Sequence, residues 1–107
     1  MNQLRAPALA AWLADDSRSK PLLLDVREGW EFELCRLDGA QLMPMQTIPA
    51  RCHELDPNQT IVVICHHGMR SQQVGRFLES QDFTDIHNLV GGVAAWAEEV
   101  DPQMPRY

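Results

Sequence analysis

Long apolar runs are missing from this 107-residue sequence, in which the uncharged apolar stretches at residues 21–24 and 61–65, for example, are short. Neither stretch approaches the roughly 20 residues that span a bilayer, so no association with a membrane is expected. The sequence before the acidic pair at residues 15 and 16 also has no long apolar stretch, which argues against a secretory signal. We therefore expect a cytoplasmic protein.

Positive charge is scarce as well. The 9 Lys and Arg residues stand against 15 Asp and Glu residues, which gives a net charge of −6. Because no basic stripe is visible, direct binding to nucleic acid is not expected. The hydrophobic fraction of 45% and charged fraction of 22% are ordinary for a globular protein. At this length we expect a single domain over residues 1–107.

Cysteine is infrequent and odd in number, with residues at positions 35, 52 and 65 only. No C-x-x-C pair occurs, and no grouping of Cys and His matches a zinc site, so no metal is expected. A cytoplasmic location predicts reduced thiols. Cys35 and Cys52 are interpreted as packing residues, whereas the residues around Cys65 indicate a reactive thiol.

Short apolar runs alternate with helical patterns along the chain. Four strands are predicted, at residues 22–26, 40–44, 60–64 and 86–89. Five helices are predicted, three at residues 7–15, 28–34 and 47–55 and two that begin near residues 71 and 93. This alternation is typical of βαβ units, so we predict an α/β domain with a mostly parallel sheet and helices on both faces.

The loop after the clearest strand is the strongest candidate for chemistry. It runs Cys65-His66-His67-Gly68-Met69-Arg70-Ser71, between the strand and a predicted helix start. Ligands of open parallel sheets bind beyond the carboxyl ends of the strands. Free N–H groups at a helix N-terminus favour a bound anion, and Arg70 adds a cation nearby. These features indicate a reactive thiolate at Cys65, although most free cysteines are buried packing residues.

The two histidines beside the thiol admit more than one interpretation. Histidine titrates near neutral pH, so His66 or His67 is a candidate proton shuttle. We expect both instead at the rim of the site, where they tune substrate entry and charge. A metal site made of Cys65, His66 and His67 is disfavoured, because consecutive residues rarely converge on one tetrahedral ion.

The loop and four further segments together resemble the rhodanese-like sulfurtransferase family. The four segments are Leu23-Leu24-Asp25-Val26-Arg27-Glu28 with Glu31 after it, Leu37-Asp38-Gly39-Ala40, Ile48-Pro49, and Leu89-Val90-Gly91-Gly92-Val93-Ala94-Ala95-Trp96. The resemblance extends over about residues 21–96. It departs from the family pattern at Asp38, where proline is usual, and in lacking the common Gly-x-Pro near the end.

The resemblance implies a five-stranded, mostly parallel sheet and a persulfide on Cys65 as the central intermediate. The active-site loop would consist of His66, His67, Gly68, Met69, Arg70 and Ser71. From their residue types, Asp25 and Arg27 are expected to brace the end of the sheet and the neighbouring loops by hydrogen bonds rather than to contact substrate. The implied partners are a thiosulfate-like sulfur donor and a thiol or protein sulfur acceptor, with no cofactor. A persulfide carrier that serves one dedicated partner remains the alternative.

The length of the loop distinguishes sulfur chemistry from phosphate chemistry. Cys-based phosphatases, which are related to this family, have five residues between the cysteine and the arginine. Only four residues separate Cys65 from Arg70 here. The smaller ring of N–H groups suits a sulfur atom better than a tetrahedral oxyanion, so the sequence favours a sulfurtransferase over a phosphatase.

Overall fold

Five strands form one sheet in the computed structural model, which describes residues 1–107. The strands are β1 (Asn2–Leu4), β2 (Leu22–Asp25), β3 (Gln41–Leu42), β4 (Ile61–Ile64) and β5 (Ile86–Leu89). Their order across the sheet is β1-β5-β4-β2-β3, and every neighbouring pair is parallel. The prediction of an α/β fold with a mostly parallel sheet is confirmed.

The helices occur where the sequence predicts them, with shifted ends. They are α1 (Ala6–Ala14), α2 (Gly29–Leu34), α3 (Ile48–Arg51), α4 (Met69–Ser80) and α5 (Gly92–Glu99). The helix predicted over residues 47–55 is only a short α-helical segment between two 3₁₀ turns, Met45–Thr47 and Cys52–Glu54. Such turns are common at helix termini. None of the helices combines the length and apolar composition needed to cross a membrane.

Strand β1 is the element that the sequence pattern did not predict. It has three residues, two of them exposed, and therefore no apolar alternation to mark it. It pairs with the edge of β5, where Leu4 lies opposite Leu89. The strand forms because β5 offers unpaired backbone groups, a property that depends on the assembled sheet.

The sheet is buried on both faces, which explains the continuous apolar run in its central strand. All four residues of β4 are buried. Val62 and Ile64 pack in the cluster that includes residues of α1 and α5, whereas Ile61 and Val63 pack in the cluster that includes residues of α3 and α4. Because both faces of β4 are covered, the loop that leaves its carboxyl end starts from within the core of the domain.

Candidate active site

Cys65 lies directly after β4, with its side chain enclosed by the loop that leads into α4. The residue is 1% exposed. The Gly68 backbone N–H donates a hydrogen bond to the Cys65 Sγ at 3.0 Å, and the thiol donates to the Ser71 Oγ at 3.3 Å. The sulfur therefore accepts a hydrogen bond from one backbone N–H, while the Ser71 hydroxyl, whose own hydrogen is donated to Asn88, accepts from the thiol.

The turn of the loop depends on Gly68. Its φ of +98° lies in the left-handed region, where glycine avoids the steric cost of a Cβ. A Cβ at this position would lie 3.1 Å from the Gly91 nitrogen and 3.3 Å from the Leu89 carbonyl oxygen. The turn and the close approach together place the Gly68 N–H against the sulfur.

The N-terminus of α5 forms hydrogen bonds with the backbone of the loop. The Val93 N–H donates to the Cys65 carbonyl at 2.9 Å, and the Ala94 N–H donates to the His66 carbonyl at 3.1 Å. Gly92 lies between these contacts with a φ of +57°, and a Cβ there would overlap the carbonyl oxygens of Cys65 and His66. Gly92 of the sequence motif thus permits direct contact between the helix and the loop backbone.

Gly92→Ala is expected to destabilise the protein and displace the loop. The substitution adds a left-handed non-glycine residue, which costs about 1–3 kcal/mol, and forces the Cys65 and His66 carbonyls away. Urea unfolding measures the loss of stability, and the rate of Cys65 alkylation reports the displaced loop. Gly29→Ala is the matched control, because a Cβ at Gly29 meets nothing within 4 Å. Equal unfolding midpoints for the two variants would contradict the expectation.

Arg70 lies in the first turn of α4 and is held by Glu31 of α2. Its two terminal nitrogens donate to the two carboxylate oxygens at 2.7 and 2.9 Å. The hydrogen bonds from Arg70 lower the pKa of Glu31 to about 2, while the carboxylate raises the pKa of Arg70. The pair therefore stays ionised throughout the physiological range. Arg70 remains one-third exposed and lies at the rim of the site.

Asp25 and Arg27 lie together at the carboxyl end of β2, fully buried. The Arg27 Nε donates to the Asp25 Oδ1 at 2.9 Å, and Nη2 donates to Oδ2 at 2.7 Å. Nη2 also donates to the Cys35 carbonyl at 2.6 Å. Burial disfavours the charged guanidinium, but hydrogen bonds to Asp25 and Tyr107 outweigh that effect and raise the pKa of Arg27. Neither side chain forms a hydrogen bond with the thiol, and their supporting role stays a prediction.

His66 and His67 lie on the outer side of the loop. Their rings stack with centroids 4.0 Å apart, and His66 stacks on Tyr107 at 3.9 Å. Burial lowers the pKa of His66. Neither imidazole forms a hydrogen bond with the Cys65 sulfur, whose partners are Gly68 and Ser71. This placement agrees with a position at the rim, next to Met69, which is 77% exposed.

Three further residues complete the site. Glu31 appeared in the sequence only as part of a motif. Asn88, buried in β5, accepts a hydrogen bond from the Ser71 hydroxyl and donates to the Gly68 carbonyl at 3.3 Å. A polar residue inside a predicted strand was the available signal for Asn88. Nothing local in the sequence marks Tyr107, which reaches the site from the end of the chain.

The sequence from residue 9 to residue 99 matches the family model described as the Rhodanese-like domain. The chain belongs to the rhodanese-like family. It is similar to the thiosulfate sulfurtransferase GlpE of Shewanella oneidensis, with 33% identity over 71% of this chain and 75% of that protein. A rhodanese-like domain protein from Staphylococcus aureus has the same fold, with a TM-score of 0.84, 29% identity and coverage of 94% and 95% of the two chains.

Other curated relatives of this rhodanese-like chain are longer than it is. The chain spans about a fifth to a half of their length. Among them is the putative sulfur carrier protein YrkF of Bacillus subtilis, with 34% identity over 80% of this chain and 46% of that protein. Rhodanese-like domains therefore occur both in proteins named as enzymes and in a protein named as a carrier.

Proposed function

We propose that this rhodanese-like domain is a cytoplasmic thiosulfate sulfurtransferase with Cys65 as its nucleophile. The observation that carries the proposal is the 3.0 Å hydrogen bond from the Gly68 N–H to the Cys65 Sγ, inside a loop that ends at the start of α4. A sulfur atom held in this way is stabilised as an anion, the form that attacks a sulfur donor. The similarity to the enzyme from Shewanella oneidensis supports thiosulfate as the donor.

The first half-reaction loads Cys65. The thiol loses its proton to water, and the thiolate attacks the outer sulfur of thiosulfate. A new bond forms between that sulfur and the Cys65 Sγ, while the sulfur–sulfur bond of thiosulfate breaks. The electron pair of the broken bond leaves with sulfite, so no external oxidant or reductant is consumed. The product on the enzyme is a Cys65 persulfide.

The loop stabilises this persulfide by electrostatics. Backbone N–H groups of residues 66–71 are the proposed donors to the terminal sulfur, a role like that of an oxyanion hole. Arg70 attracts the anionic donor from the rim. Only two of the five N–H bonds of Arg70 are directed at Glu31, and the side chain is one-third exposed. The remaining N–H bonds are proposed to contact thiosulfate.

The second half-reaction releases the sulfur. A thiophilic acceptor attacks the outer sulfur of the persulfide, and the bond to the Cys65 Sγ breaks with its electron pair returning to the thiolate. Cyanide yields thiocyanate, whereas a thiol yields a new persulfide on the acceptor. Because the two half-reactions share a covalent enzyme form, ping-pong kinetics are expected.

The experiment that tests the proposal is incubation with thiosulfate followed by intact mass spectrometry and sulfite measurement. The expected result is the addition of one sulfur atom per chain, equal in amount to the sulfite released, and its removal by cyanide. Parallel lines in double-reciprocal plots would support the two-step scheme. Failure to detect either an adduct or sulfite would contradict the proposed donor.

Loop length leads to a separate prediction on reaction class. With four residues between Cys65 and Arg70, we expect sulfur transfer and negligible hydrolysis of aryl phosphates. Inserting one glycine after Met69 enlarges the ring of N–H groups and is expected to lower sulfur transfer by at least about tenfold, a loss of about 1.4 kcal/mol in transition-state stabilisation. Thiocyanate formation and nitrophenol release measure the two activities. Efficient phosphatase activity of the unaltered protein would overturn this prediction.

A persulfide carrier is the second candidate. The similarity to the putative sulfur carrier of Bacillus subtilis favours it, as do the exposed apolar side chains of Met69 and Trp30 near the loop. A carrier would accept sulfur from a partner protein and show little turnover with thiosulfate. Loading with thiosulfate distinguishes the two candidates: multiple turnovers with cyanide indicate the enzyme, whereas transfer only from a persulfidated protein indicates the carrier.

A further inference from the structure

Tyr107, the single tyrosine of the chain, joins the two ion pairs beside the active-site loop. Its hydroxyl accepts a hydrogen bond from Arg27 Nη1 at 2.9 Å and donates one to Glu31 Oε2 at 2.7 Å. Arg27 is paired with buried Asp25, and Glu31 is paired with Arg70. The hydroxyl thus connects the end of β2 with the first turn of α4, and the chemistry proposed above does not use it.

The Tyr107 ring is fixed by aromatic neighbours. It stacks on His66 with centroids 3.9 Å apart and planes inclined by 14°, and it meets Trp30 edge-on at 5.8 Å. The chain before it is anchored by Met104, which is buried, and by Arg106, which donates to the Ala97 carbonyl at 3.1 Å. Packing on several sides therefore fixes the position of the ring that carries the hydroxyl.

Each carboxylate oxygen of Glu31 accepts two hydrogen bonds. Its Oε1 accepts from Arg70 and from the Glu28 N–H, and its Oε2 accepts from Arg70 and from Tyr107. The side chain is 5% exposed, so water has little room to replace a donor that is lost. Removing the phenol hydroxyl leaves the oxygen that pairs with Arg70 Nη2 with one partner fewer. The orientation of the Arg70 guanidinium then becomes less restricted.

We propose that Tyr107 is a positioning residue for sulfur transfer, whose hydroxyl fixes Glu31 and through it the Arg70 side chain that receives the anionic donor. The inference rests on the proposed function, since Arg70 matters here as the group that meets thiosulfate. Tyr107 itself touches neither Cys65 nor, in this scheme, the substrate. Its effect is therefore expected to pass through Arg70.

A double-mutant cycle with Tyr107→Phe and Arg70→Ala tests this coupling. Phenylalanine keeps the ring that stacks on His66 and removes only the hydroxyl. We expect Tyr107→Phe to lower kcat/KM for thiosulfate by roughly 2- to 10-fold, the scale of one lost hydrogen bond, mainly through a higher KM. In the Arg70→Ala background the same substitution is expected to change kcat/KM by less than about 1.5-fold, because the side chain through which the hydroxyl acts is then absent. If the two residues acted independently, Tyr107→Phe would instead have the same effect in both backgrounds.

A purely structural role of Tyr107 predicts a different result. General loosening would lower kcat/KM by the same factor in both backgrounds, and that outcome would overturn the proposal, as would unchanged kinetics in Tyr107→Phe. Leu9→Val, a substitution in the buried face of α1 away from the loop, is the stability control. Its KM for thiosulfate is expected to equal that of the parent protein.

The phenol group offers a measurement that does not depend on activity. Burial, together with the hydrogen bond to Glu31, raises the pKa of Tyr107 to about 12. Glu31→Gln removes the neighbouring negative charge, so the pKa of Tyr107 is expected to fall. The absorbance of the phenolate measures this pKa, and circular dichroism at each pH shows that the protein is still folded. If the parent protein takes no sulfur from thiosulfate, the proposed function fails, and this titration still decides the link between Tyr107 and Glu31. Ionisation of Tyr107 near its ordinary pKa of 10.0 in the folded protein would overturn that link.

Discussion

Replacing Cys65 with serine is expected to abolish sulfur transfer while the protein stays folded. Serine has almost the same shape, and its hydroxyl retains the two partners that the structure provides, the Gly68 N–H and the Ser71 hydroxyl. A hydroxyl is a far weaker nucleophile toward sulfur and forms no stable persulfide. We therefore expect no sulfur adduct, no sulfite release and no thiocyanate formation, with an unfolding midpoint close to that of the parent protein.

The other two cysteines serve as controls for this substitution. Cys52→Ser changes a half-buried side chain in the 3₁₀ turn after α3 and is expected to leave sulfur transfer unchanged. Cys35→Ser changes a buried sulfur that lies 3.8 Å from Arg27 Nη1, so a small loss of stability is expected with activity retained. A sulfur adduct on the Cys65→Ser protein, located on either remaining cysteine, would show that the nucleophile has been assigned to the wrong residue.

Asp25→Ala is expected to produce the largest loss of stability among the substitutions considered. The substitution removes the carboxylate from a fully buried ion pair and leaves the Arg27 guanidinium without its main partner. Breaking a buried pair in this way costs about 3–5 kcal/mol. A domain of this size has a total stability of about 5–15 kcal/mol, so the melting temperature is expected to fall by more than about 10 °C. Calorimetry and urea unfolding measure the change.

An exposed ion pair provides the matched control. Arg51 and Glu54 form a pair in which the side chains are 39% and 42% exposed. Water replaces the lost partner at such a site, so Glu54→Ala is expected to leave the stability nearly unchanged. If Asp25→Ala and Glu54→Ala shift the melting temperature equally, the buried pair does not have the structural importance assigned to it here.

Local sequence patterns were sufficient for the parts of the fold that depend on neighbouring residues. The apolar run of β4 predicts a strand covered on both faces, and the structure buries all four of its residues. The loop that follows combines Cys65, Gly68 and Arg70 within six positions, so the candidate nucleophile can be recognised without the fold. The start of α4 at Met69, two residues before the predicted start, follows from the left-handed turn at Gly68.

Tertiary structure decided the surroundings of the thiol. Strand β1 forms only because β5 has a free edge, and Arg70 finds Glu31 across 39 positions of the chain. Tyr107 reaches Glu31 across 76 positions, although no pattern around it indicates a role. Similarly, Gly92 at the start of α5 acquires its significance from its close approach to the Cys65 and His66 carbonyls. Thus the sequence by itself determined the fold class and the candidate nucleophile, because the burial of a strand and the composition of a loop depend on residues that are adjacent in the chain. The partners that hold the site were decided only by folding, because their contacts depend on how distant segments pack across the carboxyl edge of the sheet.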